Sequence, residues 1–353
     1  MSPLLDRRLD LTMVSRRVEA VADSFLTAKG RDLHLVEFAE LLRSYFAAGG
    51  KRIRPLLCVV GWHAAGAEGD DGVLLRWAAS LELFHLFALI HDDVMDDSDS
   101  RRGRPSVHRE MASRWPQGAG AGAERFGRHS AILLGDLALV WAEELLRWGS
   151  PVEGLGTAWE LVDRMRSELV VGQYLDLAST GRMNVGVEAA LRIARLKTAK
   201  YTVERPLQIG AALGGADRAV LDECSVFALP LGEAFQLRDD LLGVFGDSKR
   251  SGKPVLDDLR QGKPTVLLAL ARERAGAREI RVLDELVGNP ELDEEGSAVV
   301  RDVLITLGAP QTVESMITHR HRAALDALDA ASFTPAATAA LREITQAVVA
   351  RSV

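Results

Sequence analysis

The sequence predicts an all-α protein built as one antiparallel bundle. Three observations predict it. Apolar residues recur at spacings of three and four, as in "VEFAELLRSYFAAGG", which is the period of an amphipathic helix. Sustained period-two alternation of β-branched residues is missing, and Ala and Leu dominate, so strands are not expected. No shift of composition and no fixed-period repeat divides the 353 residues, so residues 1–353 read as a single domain.

The elements follow in order. The first periodic segment stops at Gly49-Gly50, a helix C-terminal signal. Next come "DGVLLRWAASLELFHLFALIHDDVMDD", "AILLGDLALVWAEELLRW" and "WELVDRMRSELVVGQYLDLA". "LRIARLKTAKYTVERPLQIGAALGG", "LDECSVFALPLGEAFQLRDDLLGVFG" and "KPTVLLALARERA" complete the set. Several are apolar almost all round, which places them inside the assembly. The breaks are polar or glycine-rich. Residues 115–127 are expected to be a flexible surface insert, and residues 287–297 a turn between C-terminal helices.

Composition narrows the function. Hydrophobic content of 47% and charged content of 26% suit a soluble globular protein. A net charge of −7 argues against a general nucleic-acid partner, though not against an anion in a local basic pocket. Cys58 and Cys224 sit in apolar contexts without metal-ligand spacing. They read as small buried hydrophobes and fit a reducing cytoplasm. The N-terminus has no apolar core of a secretory signal. No apolar run is read as reaching the roughly 18 residues of a membrane span, so no transmembrane segment is expected.

One stretch is chemically unusual. "HDDVMDDSDSRRGRP", residues 91–105, holds a negative block beside a positive one. On a helix Asp92 and Asp96 share a face one turn apart, with Asp93 to the side. Like charges at that spacing repel, and a helix C-terminus disfavours anions. A divalent cation removes both costs, and hard carboxylate oxygens point to Mg²⁺. A second pair, Asp239-Asp240, follows another apolar run. Such acidic ends can face one another in a bundle and hold metals. Mg²⁺ is usually bound by one or two carboxylates plus substrate phosphates. Cations that could hold phosphate are at hand: Arg101 and Arg102, Lys51 and Arg54 in "GGKRIRP", and Lys197 beside Thr198. Lys253 and Lys263 lie in glycine-flanked loops after the second acidic pair, where a solvated role is equally open. Together these residues suggest diphosphates clamped at the mouth of an apolar helical cavity.

"GGKRIRP", "DDVMD…RRGRP", "KTAKYT" and "GEAFQLRDDLLG", in this order, resemble the trans-isoprenyl diphosphate synthases, the polyprenyl synthetase family, and are most like a geranylgeranyl diphosphate synthase. The resemblance covers nearly the whole chain. It implies an isoprenoid synthase fold around a deep central cavity, usually a homodimer. It implies condensation of isopentenyl diphosphate with an allylic diphosphate (dimethylallyl, geranyl or farnesyl). By motif, Asp92 and Asp96 would ligate two Mg²⁺ ions and Asp239 a third, with Asp93, Asp176 and Asp240 supporting them. Arg101, Lys197 and Lys253 would hold the allylic diphosphate, with Lys263 nearby. Lys51, Arg54, His85 and Arg102 would hold isopentenyl diphosphate. Thr198 and Gln236 would stabilise the allylic cation.

The resemblance has one departure. The family's second motif ends in a further aspartate where this chain has Gly243. Product length in the family depends on bulk just before the first motif, here Ala88 and Phe87, with Phe84 a turn deeper. An aromatic at the fifth position alone resembles enzymes making C20 geranylgeranyl diphosphate. Farnesyl or longer products are the alternative. A class I terpene cyclase, or a non-catalytic subunit of a heteromeric synthase, fits less well, because both aspartate pairs and Lys51 and Arg54 are present.

Overall fold

A computed structural model of the chain describes residues 9–32, 36–150, 154–182, 184–246 and 256–349. Lys253 lies outside the described residues. The chain runs through α1 (Leu11–Asp32), α2 (Val36–Ala47), α3 (Ile53–Ala64) and α4 (Gly72–Met95). A two-stranded hairpin, β1 (Ser100–Arg101) and β2 (Arg104–Pro105), follows. Then come α5 (Val107–Ser113), α6 (Ala121–Arg147), α7 (Gly156–Ser179) and α8 (Val187–Ala194). A π-helical segment (Arg195–Glu204) leads directly into α9 (Arg205–Leu213), and α10 spans Arg218–Phe245. The last elements are α11 (Asp257–Gln261), α12 (Val266–Arg274), α13 (Ala277–Leu286), α14 (Glu294–Thr306), α15 (Ala309–Ala330) and α16 (Pro335–Val349). The all-α expectation holds apart from the hairpin.

Three departures from the sequence reading have local causes. Residues 115–127 are not one insert, because α6 begins at Ala121 and only residues 115–120 form a turn. Gly118 and Gly120 take the positive φ of that turn. Gly127, which reads as a loop residue, sits inside α6, where a Cβ would overlap the His108 carbonyl. Trp115 packs on Phe126 with ring centroids 4.8 Å apart. Second, α4 is long and apolar enough to cross a membrane by length and composition alone, contrary to the reading that no run reaches that length. Its faces are spent inside the protein: Trp77, Ala78, Leu81 and Leu83 are all fully or nearly fully buried. Third, the Asp239-Asp240 pair does not end its helix, since α10 continues to Phe245.

The core forms where α4 packs on α6, α3 on α9, and α10 on α15. The α3–α9 contact needs glycine on both sides. A Cβ on Gly210 would overlap the Cys58 carbonyl, and one on Gly61 the Leu207 carbonyl. Neither obstacle is a flexible side chain, so the helices would have to separate. Gly210→Ala should therefore cost about 1–3 kcal/mol of stability, the usual range for overpacking. Urea unfolding checks this, and an unchanged midpoint would show that the contact can relax.

Candidate active site

The C-terminal turn of α4 carries the first acidic cluster. The Asp96 N–H donates to the Asp92 carbonyl at 2.8 Å, so the last turn stacks the two residues on one side. Both line a cavity of about 1060 Å³. Asp92 Oδ1 accepts from Lys197 Nζ at 3.2 Å and from Gln173 Nε2 at 3.3 Å. Its Oδ2 accepts from Arg101 at 3.1 Å. Asp96 accepts from Lys263 Nζ at 2.7 Å, and Gln261 donates to its backbone carbonyl at 3.0 Å. Asp93 is buried and takes the Arg101 Nε–H at 2.7 Å, so it holds the arginine rather than facing the cavity. Burial alone would lower Arg101, but Asp93, Asp92 and Asp96 outweigh it and hold the group above its ordinary value.

The hairpin explains how two adjacent arginines reach different places. Arg102 and Gly103 occupy its two-residue turn with φ of 53° and 74°, the left-handed pair that matches strand twist. Arg101 thereby turns towards Asp92 and Asp93, while Arg102 donates to the Gly49 carbonyl. A Cβ on Gly50 would lie 2.8 Å from the Arg102 guanidinium, so the glycine before Lys51 leaves room for Arg102 there. Lys51, Arg54, Arg101 and Arg102 all line the cavity. Asp97 and Asp99, which have no role in the sequence reading, pair with Arg109 at 3.2 and 2.8 Å.

Opposite stands the π-helical segment. Pro206 has no N–H to give the carbonyl four residues back, which disturbs the α ladder there. The Arg205 N–H instead bonds the Lys200 carbonyl, five residues back. Neighbouring backbones press in from two sides. A Cβ on Gly172 of α7 would lie 2.7 Å from Lys197 N, and one on Gly232 of α10 2.5 Å from Ala199 Cα. Lys197, Thr198, Tyr201 and Thr202 all reach the cavity from this segment. Lys197 Nζ donates to Asp176 at 2.6 Å as well as to Asp92. Burial pulls Lys197 down, yet Asp92 and Asp176 prevail and keep it charged. Thr198 donates to Gln236 Oε1 at 2.5 Å, and Gln236 Nε2 donates to Asp240 at 2.7 Å. Burial pushes the Asp240 carboxyl up to about 7; the Gln236 hydrogen bond opposes this, and Asp258 and Asp239 add to it.

His85 also lines the cavity. Burial, then Arg54, Arg102 and Arg101, hold it well below its ordinary value, so it is neutral. Its Nδ1 lies 3.2 Å from the Tyr201 hydroxyl. Burial raises the Tyr201 phenol, so the hydroxyl facing Nδ1 keeps its proton. The Tyr201 ring also lies under the Arg54 guanidinium, 4.2 Å away, and Arg54 donates to Thr202 at 2.6 Å. Sequence reading passed over Tyr201, Gln173, Gln261 and Asp258. Tyr201, Gln173 and Gln261 carry no charge and Asp258 follows Asp257 in a short polar helix; the π-helical turn, α7 and α11 bring them to the site.

The cavity wall beyond the charges is apolar, with Phe87, Ala88, Leu169, Ile193 and Phe235 among its lining. Phe87 stacks edge-on against His91 at 4.8 Å. Phe84 is 3% exposed and does not line the cavity. It sits behind Phe87 at 5.2 Å and Tyr201 at 5.9 Å. Among the described residues, no three acidic, imidazole or thiol groups converge closely enough to hold a metal ion by themselves. Carboxylates on two helices with cations between them instead suit metals shared with a phosphate ligand.

A polar mouth of carboxylates and cations over an apolar helical cavity suits a ligand with an anionic head and an apolar body. A family model described as Polyprenyl synthetase matches residues 36–303, and the chain belongs to that family of prenyltransferases. It is 33% identical over 290 residues to a geranylfarnesyl diphosphate synthase of Aeropyrum pernix, covering 81% of this chain and 82% of the relative. It is 35% identical over 277 residues to a (2E,6E)-farnesyl diphosphate synthase of Mycobacterium tuberculosis, covering 77% and 71%. Its fold superposes with a TM-score of 0.92, at 38% identity, on a geranylgeranyl pyrophosphate synthase of Corynebacterium glutamicum complexed with isoprenyl diphosphate and magnesium, covering 98% of this chain and 100% of that one.

Asp92 meets Lys197, Gln173 and Arg101 at once, so its loss unsettles both sides of the mouth. Asp92→Ala should lower prenyl-transfer turnover by about 10² to 10³, as for other preorganised electrostatic groups. Steady-state kinetics at saturating Mg²⁺ checks this, and near-normal turnover would remove Asp92 from the reaction centre.

Proposed function

We propose that this chain condenses isopentenyl diphosphate with an allylic diphosphate, head to tail, to make geranylgeranyl diphosphate (C20). One observation carries the reading: two acidic helix segments and a ring of lysines and arginines meet at the mouth of a single apolar cavity. Asp92 and Asp96 would hold two Mg²⁺ ions and Asp239 a third. Bound magnesium would neutralise the charge that gathers on the departing diphosphate.

The chain's own residues do the rest. Arg101 and Lys197 grip the allylic diphosphate, with Lys263 beside them; the resemblance adds Lys253, which lies outside the described residues. Lys51, Arg54, Arg102 and His85 grip isopentenyl diphosphate, and fixing both partners makes the attack effectively unimolecular. The Thr198 hydroxyl donates a hydrogen bond to Gln236 Oε1, which leaves its oxygen lone pairs to face the developing allylic cation. The C3–C4 double bond of isopentenyl diphosphate then attacks that cation through C4, and the departing diphosphate takes the proton lost from C2. The apolar walls exclude water that would quench the cation.

Product length rests on Phe87 and Ala88, which line the cavity before Asp92. Phe87 is braced by Phe84 and His91, so it forms a firm aromatic step, while Ala88 leaves room beside it. The working form is a cytoplasmic homodimer. Buried, unpaired Cys58 and Cys224 fit that compartment. Exposed Leu133 and Val140 on α6, and Val170 and Tyr174 on α7, offer apolar surface for a second copy.

The test is incubation of the purified protein with Mg²⁺, isopentenyl diphosphate and each of dimethylallyl, geranyl and farnesyl diphosphate, with products identified by mass. A C20 product supports the proposal, and no condensation with any primer ends it. Phe87→Ala should shift the products to longer chains. An unchanged distribution would mean that another group sets the floor.

A further inference from the structure

Lys51 and Arg54 reach the cavity from one short turn, and Arg52, which stands between them, holds a costly backbone. Gly49 and Gly50 take φ of 91° and 138°, which glycine adopts freely. Arg52 takes a φ of 49°, a left-handed conformation that is unfavourable for a residue with a side chain. Its carbonyl accepts the Leu56 N–H at 3.0 Å, so this residue starts α3. The left-handed turn therefore sets Lys51, before it, against Arg54, which lies in the first turn of α3.

The Arg52 side chain is tied to three other helices. Its Nη1 donates to Glu82 Oε1 of α4 at 2.7 Å, its Nε to Glu19 of α1 at 3.0 Å, and its Nη2 to the Phe46 carbonyl of α2. The guanidinium also lies 4.4 Å from the Phe46 ring centre. The Arg52 and Glu82 side chains are 3% and 4% exposed, so solvent screens their attraction little. Glu82 stands one turn before His85 on α4 and lines the same cavity. Burial lowers Arg102, and Glu82 is the first group that opposes it. A salt bridge that only joined α1, α2 and α4 would have no need of a left-handed backbone between two cavity residues.

We propose that the buried Arg52–Glu82 pair is a positioning device: it holds residue 52 left-handed and thereby sets Lys51 and Arg54 for isopentenyl diphosphate. The inference rests on the prenyl-transfer reading given above. Arg52 and Glu82 act through the turn and not on the reacting atoms. The groups assigned to the allylic diphosphate, Arg101 and Lys197, stand on other elements, so the device serves one substrate and not the other.

The test is steady-state kinetics of the full-length protein with isopentenyl and geranyl diphosphates, with thermal unfolding in parallel. Arg52→Ala with Glu82→Gln removes both charges and leaves a side chain in the turn. It should raise KM for isopentenyl diphosphate about 5- to 30-fold, the cost of a left-handed residue that nothing holds, and leave KM for geranyl diphosphate unchanged. Arg52→Gly with Glu82→Gln removes the same charges but places glycine where φ is positive, and should recover most of that loss. The two proteins differ by one methyl group, so lost charge or packing would affect them alike. A Gly variant no better than the Ala variant overturns the proposal, and so do unchanged kinetics in the Ala variant or an equal rise in both KM values. If the Ala variant does not fold, the Gly variant decides. A wild-type ratio of the two KM values then supports the proposal, and a ratio raised as above, or a Gly variant that also fails to fold, overturns it. Wild-type protein that does not condense the two substrates overturns the prenyl-transfer reading itself, and this inference with it.

Discussion

Carboxylates gathered at the ends of apolar helices repel one another, and everything at the mouth of this cavity answers that repulsion. Asp92 and Asp96 stand one turn apart at the end of α4, where the helix dipole adds to the cost. The protein offsets it with Lys197, Arg101 and Lys263, each drawn from a different element. The same cations are the groups that a diphosphate would meet. The charge pattern that stabilises the mouth therefore also suits it to an anion bridged by metal.

That arrangement depends on close backbone approaches. Gly172 and Gly232 let α7 and α10 press against the π-helical segment, and Asp176 and Glu168 of α7 pin Lys197 and Lys200 at 2.6 and 2.9 Å. Glu168 also takes Arg205 at 2.7 Å, just where Pro206 interrupts the ladder. The segment that carries Lys197, Thr198 and Tyr201 is thus fixed by packing and by ion pairs on both flanks. Placement of this kind matters more than affinity for any one group, because the reaction needs two diphosphates and a cation held together without water.

Much of this was legible in the sequence. Helical periodicity gave the fold class, and the acidic and basic blocks marked Asp92, Asp96, Arg101 and Arg102 because segregated charge has a local signature. Lys51, Arg54, His85, Lys197, Thr198 and Gln236 were placed by resemblance, and they line the same cavity. What sequence could not reveal depends on tertiary contact. Tyr201 matters through its ring under Arg54 and its bond to His85, neither of which has a local pattern. Asp258 is half of an Asp-Asp pair in a short polar helix, and only the fold sets it against Gly243. Glycine-rich residues 121–127 misled for the opposite reason: the glycines there serve helix packing rather than a loop.

The central claim is that the two acidic segments share metal ions across the cavity mouth. Anomalous scattering from crystals grown with Mn²⁺ and inorganic pyrophosphate tests it most directly. The account predicts metal peaks against Asp92 and Asp96 and a further peak against Asp239, with pyrophosphate oxygens between them and Arg101 and Lys197 on the anion. Peaks confined to one acidic segment, or pyrophosphate bound away from both, would contradict it.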